Sequence, residues 1–168
     1  MHHVYFIEDL KMLNLSSNSL LIVFSIVCAL LIVKAQVLGA MTAATRGKLK
    51  YFINKEDVDW LGGEHVAIDE ERVQRVFRAH RNDLENLLPF FIGGIFYVLY
   101  DTSAMAGMTY FCLFLLVRCL HTFAYLHDFA SSRLKARLRN ATYTVGWLVT
   151  VIMAIHVAVV ALLQALQR

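Results

Sequence analysis

The chain is short of the residues that build loops, sheets and water-facing surfaces. One proline and eight glycines in 168 residues leave little material for turns, which argues against a β-rich architecture. Charged residues make up only 17%, against roughly 25% in soluble domains, so the sequence cannot cover a large wet surface. The three cysteines, Cys28, Cys112 and Cys119, are odd in number, lack CxxC spacing and lie in apolar stretches. That excludes a disulfide framework and gives no metal site; they read as small buried hydrophobes. A net charge of +3 is too small to suggest nucleic acid as a partner. No internal repeat, heptad array or low-complexity tract is visible.

What the chain has is apolar length. Hydrophobic residues make up 58%, enough for four membrane crossings in one domain. The expected spans are about 17–40, 70–100, 103–127 and 139–166, a single four-span domain over residues 1–168. The fold class is all-α, an integral membrane four-helix bundle. Glu8 and Asp9 precede the first apolar run and no small-residue cleavage site follows it, so that run reads as a retained anchor. Lys34 near its end reads as a snorkelling lysine. The polar stretch from Thr42 to Asp69 is long for a turn and reads as an ordered cap or a mobile lid. Asp69, Glu70 and Glu71 suit the start of the second helix. Pro89 inside that helix predicts a kink. The short connection around Tyr100 makes spans two and three antiparallel neighbours. The segment HDFASSRLKARLRN reads as a second basic loop, and His156 as structural.

Charge sets the orientation. Both stretches rich in Arg and Lys, after span one and after span three, fall on one side of the membrane. The opposite side carries Lys11 and Arg168 against Glu8, Asp9 and Asp101. The positive-inside rule therefore places both basic stretches, and any site built there, in the cytoplasm.

The informative residues are ionisable groups at membrane depth, where they are costly. Arg78, Asn82 and Glu85 are spaced i, i+4, i+7 and share one face of helix two, and Arg81 can pair with Glu85. Arg118, His121 and Tyr125 share a face of helix three. Arg139 and Tyr143 open helix four. All gather at one end of the bundle. Two constructions fit the spacing: interhelical salt bridges, or a polar pocket. A pocket of guanidiniums with one carboxylate suits a ligand with at least two carboxylates and an ammonium group. Glutathione has this charge pattern, and an arginine beside its thiol favours the nucleophilic thiolate. Arg72 and Arg75 read as solvated or headgroup contacts.

The segment ERVQRVFRAHRNDLENLLPF strongly resembles the signature region of the membrane-associated proteins in eicosanoid and glutathione metabolism, the MAPEG family. RCLHTFAYL resembles that family's third-helix motif, RNATYT the start of its fourth helix, and INKEDV its first-loop segment. The resemblance extends from about span one to the end. It implies a homotrimer with glutathione bound between neighbouring subunits, and a hydrophobic electrophile or lipid hydroperoxide drawn from membrane lipid. It assigns glutathione contacts to Arg46, Arg78, Arg81, Asn82, Glu85, Arg118, His121, Tyr125, Arg139 and Tyr143. It assigns catalysis to Arg139, Asn140 and Asp57, of which Asp57 matches an acidic residue associated with isomerase chemistry. Asn140 stands where one branch has a thiol-activating serine, and Lys55 where a proline is common. The implied activity is glutathione transfer, with peroxidase chemistry by the same thiolate. A glutathione-dependent prostaglandin E synthase and a non-catalytic lipid-binding scaffold are the alternatives. The implied location is the endoplasmic reticulum in a eukaryote and the inner membrane in a bacterium.

Overall fold

The computed structural model describes residues 19–100, 102–127 and 131–167. The expectations for Glu8, Asp9, Lys11, Asp101 and Arg168 lie outside these residues. Helix α1 spans Ser19–Leu49. A two-residue strand β1 (Tyr51–Phe52), a short helix α2 (Lys55–Leu61) and a second strand β2 (Glu64–His65) follow. Three long helices complete the chain: α3 (Glu71–Leu99), α4 (Ala104–Leu126) and α5 (Ser132–Leu166). The four long helices form the expected all-α integral membrane bundle. By length and composition, α1, α4 and α5 are each apolar enough to cross a membrane. Helix α3, at 29 residues, is also long enough, but its first half is heavily charged.

The apolar half of the bundle is held by aromatic packing. Phe90 on α3 stacks on Phe114 of α4 with ring centroids 3.9 Å apart. Phe24 of α1 meets Phe111 of α4 at 4.9 Å. All are buried, with Leu31, Tyr97 and Met153 beside them. The tilted Phe24–Phe111 contact suits the aromatic quadrupoles. Two glycines set the helix spacing. A Cβ on Gly94 would stand 2.2 Å from Phe24, and one on Gly107 would stand 2.6 Å from Leu20. Small residues at these crossings let α1 approach α3 and α4 closely, as membrane packing favours.

Several boundaries differ from the sequence expectation. Helix α1 runs past residue 40 to Leu49, because Leu31, Ala35, Leu38 and Thr42 continue one buried stripe. Thr42 satisfies its hydroxyl by donating to the Leu38 carbonyl at 3.0 Å. The polar stretch after it is ordered: β1 and β2 pair in parallel, Tyr51 with Glu64 and Phe52 with His65. The basic residues Arg133, Lys135 and Arg137 lie on α5, not in a loop. Ser131 caps that helix, its hydroxyl accepting from the Leu134 amide at 3.4 Å. The acidic start of α3 is as expected, with the Glu70 side chain accepting from the Arg72 amide at 3.0 Å. Helix α3 continues unbroken through Pro89. The cysteines are free, but Cys112 and Cys119 are exposed rather than buried. They lie seven residues apart on one side of α4, off its buried stripe.

Candidate active site at the basic end of the bundle

The C-terminal ends of α1 and α4 and the N-terminal ends of α3 and α5 meet at one end of the bundle. A cleft of about 390 Å³ opens there between α3, α4 and α5. Arg75 and Arg78 enter from α3, Tyr125 from α4, and Lys135 and Arg139 from α5; among the described residues Glu71 is the one carboxylate on its wall. Helical spacing explains the convergence: Glu71, Arg75 and Arg78 fall at i, i+4 and i+7 on α3.

Two anchors fix Arg139. Its guanidinium carbon lies 4.9 Å from the centre of the Tyr125 ring, a cation–π contact that leaves its N–H edges available. Its backbone carbonyl lies 3.1 Å from His121 Nδ1. A carbonyl only accepts, so that bond requires the proton on Nδ1. Thr142 Oγ1 stands 3.0 Å from the same nitrogen. His121 is buried, and its ring packs 5.2 Å from Tyr125 and 6.4 Å from Tyr143. The histidine thus ties α4 to the first turns of α5 and fixes where Arg139 stands. No carboxylate pairs with Arg139 among the described residues.

The other expected residues divide into two groups. Arg78 lines the cleft and is braced by Gln74 at 3.1 Å and Glu71 at 2.6 Å. Arg81 and Glu85 pair as their spacing foretold, Nε donating to Oε1 at 3.0 Å, but they face outward and stay mostly exposed. Arg46 lies outside the cleft, its Nε donating to Asp69 Oδ1 at 2.9 Å. Asp57 sits on α2 and accepts from Asn54 at 3.1 Å, also away from the cleft wall. Asn140 and Tyr143 are exposed near the start of α5. Arg118 points into the bundle interior and is completely buried.

Sequence reasoning overlooked the residue that holds Arg118. Asp83 is also fully buried. It accepts from Arg118 Nε at 3.1 Å and from Arg118 Nη2 at 2.5 Å. Asn82 accepts from the same Nη2 at 2.7 Å. Lys34 completes the cluster by donating to Asp83 and, at 3.0 Å, to Thr122. Lys34 therefore does not snorkel. The nearby carboxylate repays its desolvation better than the interface does, and its side chain is only 17% exposed. A usable signal existed: Asp83 falls in step with Val76, Ala79, Leu87 and Phe90, the buried stripe of α3.

Arg118 Nη1 and His121 Nε2 are buried without a hydrogen-bond partner among the described residues. Both lie three residues apart on α4, below the cleft. Chemically, the arrangement offers a cationic cleft with one acidic wall, a fixed arginine beside an aromatic ring, and a polar floor. It can hold a polyanion with a cationic group and stabilise a developing anion.

Residues 24–159 match the MAPEG family. The prostaglandin E synthases of Macaca fascicularis and Homo sapiens are 34% and 33% identical to this chain over 141 residues, covering 84% of it and 90% of each relative. The microsomal glutathione S-transferase 1 of Rattus norvegicus is 35% identical over 150 residues, covering 87% of this chain and 92% of the relative.

Proposed function

This chain belongs to the MAPEG family, and from that premise we propose that it is a membrane-bound glutathione transferase acting on hydrophobic electrophiles. The observation that carries the reading is Arg139, held over Tyr125 with no carboxylate partner among the described residues, in a cleft lined by Arg75, Arg78 and Lys135. Glutathione brings two carboxylates, one ammonium group and a thiol. Arginines and Lys135 suit the carboxylates, and Glu71 suits the ammonium group. Arg139 favours the thiolate over the thiol. The sulfur then forms a bond to the electrophilic carbon while the leaving group departs with its electron pair. The same thiolate supports reduction of lipid hydroperoxides. Both kinds of partner are apolar and enter from membrane lipid.

The placement of the remaining family positions supports a homotrimer. In one chain, Arg46, Arg81 and Glu85 stand outside the cleft, and Arg81 and Glu85 are turned to the outer face. A second copy packed there would bring such groups to its neighbour's cleft, so the site is complete only between subunits. We assign all four long helices as spans and the basic end to the cytoplasm, following the positive-inside rule. The membrane is the endoplasmic reticulum in a eukaryote and the inner membrane in a bacterium.

The test is conjugation of a chlorodinitrobenzene-type electrophile in liposomes. Glutathione-dependent turnover above a heat-inactivated control is expected, with a thiolate absorbance on adding glutathione. Turnover at the control level rejects the transferase reading. A second reading, glutathione-dependent prostaglandin E synthase, has the support of 34% identity to the Macaca fascicularis enzyme. Asp57, which the resemblance ties to isomerase chemistry, lies off the cleft wall, and Asn140 lacks a hydroxyl; neither favours it. Assay with the endoperoxide decides, since product ratios equal to spontaneous decay remove this reading. Failure of both assays, with a lipid still bound, would leave the scaffold alternative.

A further inference from the structure

A second cleft, of about 490 Å³, opens beside the first at the basic end. Its basic wall is Arg72 and Arg75 of α3 with His127 at the end of α4. Its apolar wall is Met41 of α1 with Val76 and Leu126. Among the described residues no acidic side chain lines it. Arg72 is held only loosely, its Nε 3.9 Å from Glu70 and its side chain 78% exposed. Arg75 has no carboxylate partner among the described residues, although Arg46, Arg78, Arg81 and Arg118 each have one. Among the described residues it alone lines both clefts. From Met41 an exposed apolar ridge descends α1 through Val37 and Val33, each four residues from the last.

This combination is amphipathic in a defined direction. Two guanidiniums and an imidazole meet at the polar end, and an apolar track leads from it toward the middle of the bundle. Basic pockets between membrane helices recognise phospholipid headgroups in this way, through charge-assisted hydrogen bonds to phosphate. We propose that this cleft binds the phosphate of an acidic membrane phospholipid, its acyl chain lying along Val37 and Val33. Because Arg75 serves both clefts, a phosphate that draws it toward the second withdraws positive charge from the first. Acidic lipid therefore weakens glutathione binding, and glutathione weakens lipid binding by the same factor. The coupling rests on the glutathione reading above; the lipid site does not.

The experiment uses the full chain in nanodiscs of phosphatidylcholine with or without phosphatidylglycerol. Native mass spectrometry reads which lipid stays bound as the disc is stripped. Selective retention of phosphatidylglycerol is expected for the wild type, with the preference lost in Arg72→Gln and Arg75→Gln and partly restored in Arg72→Lys. Calorimetry reads glutathione affinity in the same discs. Phosphatidylglycerol should weaken it roughly fivefold in the wild type, within the usual range of coupling between sites, and hardly at all in Arg72→Gln. Equal retention of phosphatidylglycerol by the wild type and both glutamine variants overturns the site. Equal weakening in the wild type and Arg72→Gln marks a general surface potential and overturns the coupling. Inorganic phosphate added to phosphatidylcholine discs should have no effect; if it reproduces the weakening, the cleft takes free phosphate and the lipid assignment fails. If glutathione binds in neither disc, the transferase reading and the coupling both fall, and the retained lipid alone decides the site.

Discussion

Arg118 and Arg139 lie on adjoining helices, 21 residues apart in sequence, yet they are used in opposite ways. Arg118 is completely buried, and its Nε and Nη2 donate to Asp83 and Asn82. Arg139 is half-buried, rests on the face of Tyr125 and has no carboxylate partner among the described residues. A guanidinium bound on one edge by fixed carboxylate and amide oxygens holds helices together. One held by a ring face keeps its hydrogen bonds for a ligand. The difference separates two zones of charge: an interior cluster that positions α1, α3 and α4, and a cleft above it that faces outward.

The comparison can be broken most severely at Asp83. Asp83→Ala would leave Lys34 and Arg118 buried together without an anion, and should cost about 3–5 kcal/mol. Thermal unfolding in detergent checks this; an unchanged midpoint would mean that the cluster is not structural. Arg139→Ala should do the reverse. We expect kcat to fall on the order of 100-fold, with glutathione affinity and the unfolding midpoint changed far less. Equal loss of affinity and turnover would place Arg139 in ground-state binding instead. Gly94→Ala tests the apolar half, where the new methyl meets Phe24. A loss of about 1–3 kcal/mol is expected from overpacking, with kcat per folded molecule preserved. Glu85→Gln should have the smallest effect on stability, under about 1 kcal/mol, because the Arg81 pair is exposed. It should still weaken glutathione binding roughly tenfold if a second subunit brings this face to a cleft. Unaltered affinity by calorimetry would remove Glu85 from the site.

Much of this organisation was legible in the chain itself. Helix α4 falls within one residue of its expected limits at each end, because an apolar run bounded by a short polar connection leaves few choices. The Arg81–Glu85 pair followed from spacing alone. The start of α5 did not, since a run of basic residues looks like a loop unless the Ser131 cap is noticed. Asp83 was harder. Its partners are 49 and 35 residues away, and no local pattern shows that two cations converge on it. What local pattern does show is position in the buried stripe of α3, which should outweigh the habit of reading charge as surface. The cleft was foreseen as a gathering of Arg, His and Tyr, but its acidic wall is Glu71 rather than Glu85. Face-sharing on a helix states which residues travel together and not what that face meets.

The interior cluster also has a consequence in time. Lys34 is synthesised 49 residues before Asp83, so the cluster cannot form until the chain has been made through Asp83 of α3. Arg118 follows Asp83 by another 35 residues. Each arrival cancels part of the cost of the one before it. The cluster is therefore complete only once all three helices, α1, α3 and α4, have been made.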